Sequence, residues 1–146
     1  NEVVTALRGS RERYFEEENA REERAEYFDG EVVMMAGTGN AHELINFDMA
    51  MAFGDYVRQG GECQPYASGN TRVRAGRSYL YPDLVIACGP VFEPAPSRLL
   101  LNPILIVEIL SPSTESADRG RKSRAYREIA TLREYLLVHT GEPLIE

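Results

Sequence analysis

The sequence predicts a mixed α/β fold, in which a β-sheet core carries helices on its faces and is preceded by an N-terminal helix and a β-hairpin. Two apolar runs, YLYPDLVIACG and ILIVEILSPST, have the length and composition of buried strands. Segments with helical periodicity lie before and after these runs, as in a sheet covered by helices. The chain has 146 residues, 43% of them apolar, so we expect residues 1–146 to form one domain with an ordinary core.

An acidic segment, residues 1–24, is predicted to contain a solvated helix. Its residues 16–24 are a run of glutamates and arginines that few apolar side chains interrupt. A β-hairpin is predicted over residues 26–36, because an Asp29-Gly30 turn separates two apolar stretches.

A long helix is predicted next, over about residues 41–58, after the glycine-containing loop 37–40. The pair Gly60-Gly61 marks its end, since glycine commonly follows a last helical turn. Four apolar residues recur near the helical period and are predicted to form its buried stripe: Leu44, Phe47, Met51 and Val57.

The second half of the chain is predicted to supply most of the sheet. Strands are expected at residues 63–66, 71–74, 79–88, 104–110 and 134–139. The strand at 104–110 is the most apolar and is expected to be central. A helix is predicted over residues 118–130. Because the chain begins with Asn1 and stops soon after its last strand, we expect a missing native start and a truncated C-terminal end.

Composition narrows the class of protein. No apolar run approaches the length of a membrane span, so we expect no membrane partner. Cys63 and Cys88 are too few for a disulfide framework, and we expect both to be small core thiols in a reducing compartment, which indicates a cytoplasmic protein.

The net charge of −7 is unevenly distributed. Residues 1–31 hold ten acids against five arginines, whereas residues 118–133 hold six basic side chains against two acids. An acidic protein can still offer phosphate a basic face, and Arg119, Arg121 and Arg124 are the candidates for contacting nucleic acid. A solvated helix with ordinary salt bridges is the open alternative.

One acid interrupts each apolar run. Asp83 follows Pro82 in the first, and Glu108 shares a strand face with Ile104, Ile106 and Leu110 in the second. A buried carboxylate needs a cation, a hydrogen-bond network or an opening to solvent. Two such acids on neighbouring strands can bind Mg²⁺ or Mn²⁺ through hard oxygen ligands, although either can also be purely structural.

Lys122 is the only lysine among sixteen basic residues. With Asp118 and Tyr126 it follows the i, i+4, i+8 spacing of one helix face, so packing of Tyr126 on the sheet directs Lys122 there too. An ammonium beside two metal-binding carboxylates can orient water or stabilise negative charge on phosphoryl oxygens. The alternative is an ion pair with Asp118, and both can hold at once.

Four segments carry a family resemblance: YFDGEVVMMAG, YPDLVIACG, LIVEILSPST and EIATLREYLLV. Together with Asp118, Lys122 and Tyr126, they resemble the Uma-type family of restriction endonucleases, which is placed in the PD-(D/E)xK nuclease superfamily. The match covers about residues 27–138. It implies a restriction-endonuclease-like fold and a Mg²⁺- or Mn²⁺-dependent endonuclease that hydrolyses phosphodiester bonds of DNA.

The resemblance also implies roles for individual residues. Asp83 and Glu108 match the two acids of the superfamily motif and would bind metal, aided by the carbonyl of Ile109. Leu110 stands where the superfamily has its lysine, and Lys122 matches the lysine that this family carries on the adjacent helix. Restriction-like enzymes suggest by analogy a homodimer or higher homo-oligomer. The chain departs from the family at two positions outside this site, Leu136 and His139.

Three further residues are possible accessories to the site: His42, Glu31 and Asp118. For His42 a helix-capping or surface role is favoured over a contact with phosphate or water, and Glu31 is favoured as an exposed hairpin residue over an outer metal ligand. Two functions of another class stay open. One is a catalytically inactive member of the fold that binds nucleic acid or a protein, and the other is an assembly subunit that associates through its acidic N-terminal helix.

Overall fold

The computed structural model describes residues 7–8, 10–35, 37–60, 62–112 and 114–146, and it has the predicted mixed α/β architecture. Within these residues nine strands form two sheets: β1 (Leu7–Arg8), β2 (Ala25–Phe28), β3 (Glu31–Met34), β4 (Cys63–Tyr66), β5 (Val73–Ala75), β6 (Ser78–Leu80), β7 (Leu84–Cys88), β8 (Leu105–Leu110) and β9 (Glu134–His139). The division into two sheets was not predicted.

Two longer helices flank the sheets, and a third helical segment lies over the site described below. The longer helices are α1 (Arg11–Ala20) and α2 (Asn40–Gly60). The third segment combines α3 (Glu115–Ala117), a π-helical turn (Asp118–Lys122) and α4 (Ser123–Tyr126). No helix of the described residues is long and apolar enough to cross a membrane.

The five-stranded sheet is antiparallel throughout, in the order β1-β3-β2-β6-β5. Helix α1 starts at Ser10, whose hydroxyl accepts a hydrogen bond from the N–H of Arg13, as an N-cap does. Its Tyr14 and Phe15 pack on Tyr27 and Tyr79 of the sheet in an aromatic cluster. The hairpin of β2 and β3 is therefore anchored on one face by the acidic segment that precedes it.

The four-stranded sheet is mixed, in the order β4-β7-β8-β9. Only the β8–β9 pair is parallel. Strand β8 has neighbours on both sides, which confirms that the most apolar strand is central. Alternate residues of β8 face different cores: Ile106 packs in the cluster that also contains Tyr126, whereas Val107 and Ile109 pack in the cluster under α2.

The buried stripe of α2 differs from the predicted one. Val57 is buried as expected, but Leu44, Phe47 and Met51 are 66%, 62% and 55% exposed. The packed side is formed by residues at a spacing of four: Ile45, Met49, Phe53 and Val57. Both sides of this helix carry apolar residues, so the helical period of the sequence did not distinguish the packed side from the exposed side.

The predicted strand at 79–88 is two strands in different sheets. Strand β6 ends at Leu80, strand β7 begins at Leu84, and the segment Tyr81-Pro82-Asp83 joins the sheets. Pro82 has no N–H to donate to a ladder, which accounts for the break. Asp83 consequently lies at the junction of the two sheets.

Two other predictions need correction. The helix expected over residues 118–130 begins at Glu115, contains the π-helical turn and ends at Tyr126. The cysteines were expected to be unpaired, but the antiparallel register sets Cys63 opposite Cys88 and the structure joins them in a disulfide. Ala36, Gly61, Ser113 and, in the acidic segment, residues 1–6 and Gly9 lie outside the described residues.

Candidate active site

Asp83 and Glu108 lie side by side because of the register of β7 and β8. Leu84 pairs with Val107, so the next pair towards the junction brings Asp83 beside Glu108. The N–H of Asp83 donates to Glu108 Oε1 at 3.2 Å, and the N–H of Ile109 donates to Asp83 Oδ2 at 2.7 Å. These reciprocal bonds fix both carboxylates at the sheet junction.

The ammonium of Lys122 reaches this pair from the π-helical turn. Its Nζ lies 2.8 Å from Glu108 Oε2, 3.2 Å from Asp118 Oδ1 and 3.3 Å from Glu26 Oε1. Lys122 and all three acids are buried. π-helical turns occur often at functional sites, and here the turn contains both Asp118 and Lys122.

Three further side chains fix the same groups. The hydroxyl of Tyr126 donates to Glu108 Oε2 at 3.0 Å, and that of Tyr135 donates to the carbonyl of Asp118 at 2.7 Å. His42, at the start of α2, places Nε2 3.0 Å from Asp83 Oδ1. His42 is neither a surface residue nor a cap, since its side chain is 12% exposed and points to the site.

Negative charge exceeds positive charge at this site, and the pKa values reflect it. Burial raises the pKa of Glu108 well above its ordinary value. Lys122 opposes this shift, whereas Asp83, Asp118 and Glu26 reinforce it. Burial would lower the pKa of Lys122, but the carboxylates of Glu108, Glu26 and Asp118 raise it well above the ordinary value. Lys122 is therefore a fixed cation rather than a proton acceptor at neutral pH.

The pKa of His42 is also shifted by a neighbouring carboxylate. The hydrogen bond to Asp83 raises the pKa of the imidazole above its ordinary value, although partial burial acts in the opposite direction. A protonated His42 would share with Lys122 the neutralisation of the acids.

A cleft of about 360 Å³ gives access to these groups. Its wall includes Asp83, Glu108, Asp118, Lys122 and His42, together with loop residues Gly37, Thr38 and Gly39. The carboxylates thus line a concave surface that a ligand can enter, as binding sites do.

The donor set fits a hard divalent cation. Asp83 and Glu108 offer carboxylate oxygens from adjacent strands, and the surplus of acids around Lys122 favours an added positive charge. Among the described residues, no three His, Cys, Asp or Glu side chains are arranged to enclose an ion. Mg²⁺ commonly uses one or two carboxylates and keeps several waters, so two acids suffice.

The basic residues expected to contact DNA have different surroundings. Arg119 pairs with Glu115 and Glu146. Arg121 lies at the edge of the cleft, where it binds Glu31 at 2.8 Å and covers the ring of Phe28. Arg124 is exposed and lines a neighbouring depression with Arg121. Glu31 is thus engaged with Arg121.

The comparison with protein families identifies the chain's relatives. The model of the Uma2 family, described as "Putative restriction endonuclease", matches residues 11–146. The chain belongs to the Uma2 family. The match includes all the site residues described above.

Two relatives and one solved structure extend this result. "Uncharacterized protein slr1290" of Synechocystis sp. (strain ATCC 27184 / PCC 6803 / Kazusa) is 35% identical over an alignment of 133 residues, and the match covers 88% of this chain and 67% of the relative. "Uncharacterized protein sll1609" of the same organism is 31% identical over an alignment of 128 residues, and the match covers 86% of this chain and 71% of the relative.

The solved structure supports the fold. A crystal structure from Anabaena variabilis ATCC 29413, described as a "putative nuclease belonging to DUF820", superposes with a TM-score of 0.67 at 16% identity. The similarity covers 82% of this chain and 68% of the other. This Uma2 chain therefore has the fold of that protein, which confirms the predicted restriction-endonuclease-like class.

Sequence reasoning missed three members of the site in this Uma2 chain: Glu26 and the hydroxyls of Tyr126 and Tyr135. Tyr126 was expected to pack on the sheet, but not to donate to Glu108. Glu26 was taken only as the first residue of the hairpin. All four residues of β2, AEYF, are buried in the structure, and the sequence alone does not distinguish this from a strand with one solvated face.

Proposed function

We propose that this Uma2 protein is an endonuclease that hydrolyses phosphodiester bonds of DNA with the help of Mg²⁺ or Mn²⁺. One observation carries the proposal: Asp83 and Glu108 lie side by side in the wall of a cleft, with the Lys122 ammonium 2.8 Å from Glu108. The family and the fold support the same class of enzyme.

In the proposed reaction, water attacks the phosphorus atom and loses a proton to solvent, while the bond from phosphorus to one ester oxygen breaks and that oxygen takes up a proton and leaves as a hydroxyl group. Asp83 and Glu108, with the carbonyl of Ile109, would hold the cation. A bound divalent cation supplies Lewis acidity and neutralises phosphate charge. Lys122 would act as a positive charge fixed in advance of the reaction, which stabilises the negative charge that develops on the phosphoryl oxygens. His42 would hold the Asp83 carboxylate in place.

The test is cleavage of supercoiled plasmid and of single-stranded DNA in Mn²⁺ by the wild type and by the variants Glu108→Gln and Lys122→Ala. We expect each variant to lose activity by roughly 100-fold or more, as when a preorganised charge is removed from an active site. Glu134→Gln changes an exposed acid of the same sheet and serves as the matched control. Equal cleavage by all four proteins would refute the proposal.

Contacts with the DNA backbone belong to the same proposal. Arg121 and Arg124 are the better-placed candidates, because both lie beside the cleft or the depression next to it. Arg119 would have to leave Glu115 and Glu146 to bind phosphate. Neutralisation of phosphates by arginine makes binding weaken steeply with salt, so binding that is insensitive to salt would count against these contacts.

Self-association into a homodimer or higher oligomer is proposed as well. The exposed Leu44, Phe47 and Met51 give α2 an apolar surface that association would cover. Sedimentation velocity tests this proposal, and a monomer at micromolar concentration would contradict it.

A cytoplasmic location also stays a prediction, and cell fractionation tests it.

A second candidate function is a catalytically inactive scaffold that binds nucleic acid or a protein. Groups of the protein already contact the oxygens of both acids. Asp83 is contacted by His42 and by the N–H of Ile109. Glu108 accepts hydrogen bonds from Lys122, from Tyr126 and from the N–H of Asp83. Such a scaffold would need no cation. Binding of Mn²⁺ that depends on Asp83 would exclude it.

A further inference from the structure

Glu26 is a buried acid in contact with Lys122, although it lies on β2 in the other sheet. It is 5% exposed, and its Oε1 lies 3.3 Å from Lys122 Nζ. The two sheets thus each contribute a carboxylate to one ammonium, Glu108 from β8 and Glu26 from β2.

The Lys122 ammonium has more carboxylate neighbours than a single ion pair needs. Lysine has three N–H donors on a flexible four-carbon stem, and here three carboxylates lie within 3.3 Å of Nζ, of which Glu108 accepts a hydrogen bond. Glu108 and Asp118 belong to the strand and the helical turn beside Lys122. Glu26 supplies the third direction, which prevents the ammonium from turning about its stem.

Glu26 is itself held rigidly. Its Oε2 accepts a hydrogen bond from the N–H of Tyr81 at 2.9 Å, and its backbone is paired with Val33 in the hairpin. Tyr81 lies two residues before Asp83 in the segment that joins the sheets. The segment that carries one proposed metal ligand therefore also fixes the acid that contacts Lys122.

Stability alone gives a poor reason for this arrangement. Each additional buried carboxylate costs desolvation energy, and one acid would already balance the single ammonium. We propose that Glu26 is a positioning residue, which holds the Lys122 ammonium beside Glu108 in the orientation that hydrolysis uses. This inference rests on the proposed function.

The unique lysine makes a direct test possible. Protein labelled with ¹⁵N at lysine Nζ has a single labelled ammonium, because Lys122 is the only lysine. We expect Glu26→Gln, which keeps the shape of the side chain, to shift this signal and to speed exchange of its protons with solvent roughly tenfold or more. Cleavage of DNA in Mn²⁺ should slow roughly 10- to 100-fold, whereas the affinity for Mn²⁺ should be unchanged.

Glu18→Gln is the matched control. Glu18 is also buried and accepts a hydrogen bond from the hydroxyl of the same Tyr81, but its other partners among the described residues are Arg21 and the N–H of Ala25 rather than Lys122. If the Glu26 and Glu18 variants lose stability alike, with the same ammonium signal and cleavage rate as the wild type, the inference is wrong. If the wild type fails to cleave DNA, the proposed function fails, while an ammonium signal perturbed only in Glu26→Gln still supports the positioning role.

Discussion

At the scale of single residues, hydrogen bonds to Glu108 offset the cost of burying its carboxylate. Its carboxylate is 2% exposed, a position that costs free energy unless its oxygens accept hydrogen bonds. The N–H of Asp83 satisfies Oε1, and Lys122 with Tyr126 satisfies Oε2. The acid is therefore compatible with a folded protein before any ligand binds.

Removal of the Tyr126 hydroxyl tests how much its hydrogen bond to Glu108 contributes to stability. Tyr126→Phe deletes a hydrogen bond to a charged group, so we expect the free energy of unfolding to fall by about 1.5–3 kcal/mol. Tyr135→Phe deletes a bond to a neutral carbonyl and should cost about 0.5–1.5 kcal/mol. Urea denaturation at neutral pH measures both. Equal losses would contradict a stronger hydrogen bond at Tyr126 than at Tyr135.

The sequence reveals some of these residues better than others. Asp83 and Glu108 interrupt apolar runs, and Lys122 is unique, so each is visible without a structure. Glu26 is not visible in this way, because an acid beside Ala25 and Tyr27 also fits a strand with one solvated face. Its burial comes from Tyr81 and Lys122, which are distant in the chain.

Elements were predicted well where one periodicity dominates and poorly where two signals compete. Strand β8 is uniformly apolar and was correctly expected to be central. Helix α2 has apolar residues on two sides, and only the tertiary contacts with the four-stranded sheet select the packed one. The π-helical turn has no signature in the pattern of apolar residues, so it required the structure, whereas the spacing already offered the i, i+4 ion pair of Asp118 with Lys122 that the structure has.

Substitution of two glycines by alanine tests the backbone of the β5–β6 turn and of helix α2, with opposite effects expected on the free energy of unfolding. Gly76 joins β5 to β6 with φ of +60°, and an added Cβ would lie 3.2 Å from Glu128 Cβ. Gly76→Ala should therefore lower the free energy of unfolding by about 1–2 kcal/mol. Gly54 lies inside α2 with nothing within 4 Å of an added Cβ, so Gly54→Ala should raise it by about 0.5–1 kcal/mol. Thermal unfolding compares them, and destabilisation by both variants would contradict the described backbone.

For the whole molecule, the site exists because two sheets meet. Pro82 ends one ladder and the chain enters the other sheet at Asp83, while β2 brings Glu26 from the first sheet to Lys122. The family resemblance in the sequence pointed to the fold and to Asp83, Glu108 and Lys122, which the structure places together. It did not indicate the number of sheets or the cysteine pair.

The central claim is that Asp83 and Glu108 bind a divalent cation, and calorimetric titration with Mn²⁺ tests it without a choice of substrate. We expect the wild type to bind Mn²⁺ with measurable heat and Asp83→Asn to bind at least roughly tenfold more weakly, since a neutral amide replaces a hard anionic ligand. Glu134→Asn, which changes an exposed acid of the same sheet, should bind as the wild type does. Absence of heat with the wild type, or equal binding by Asp83→Asn, would contradict the claim and favour the inactive scaffold.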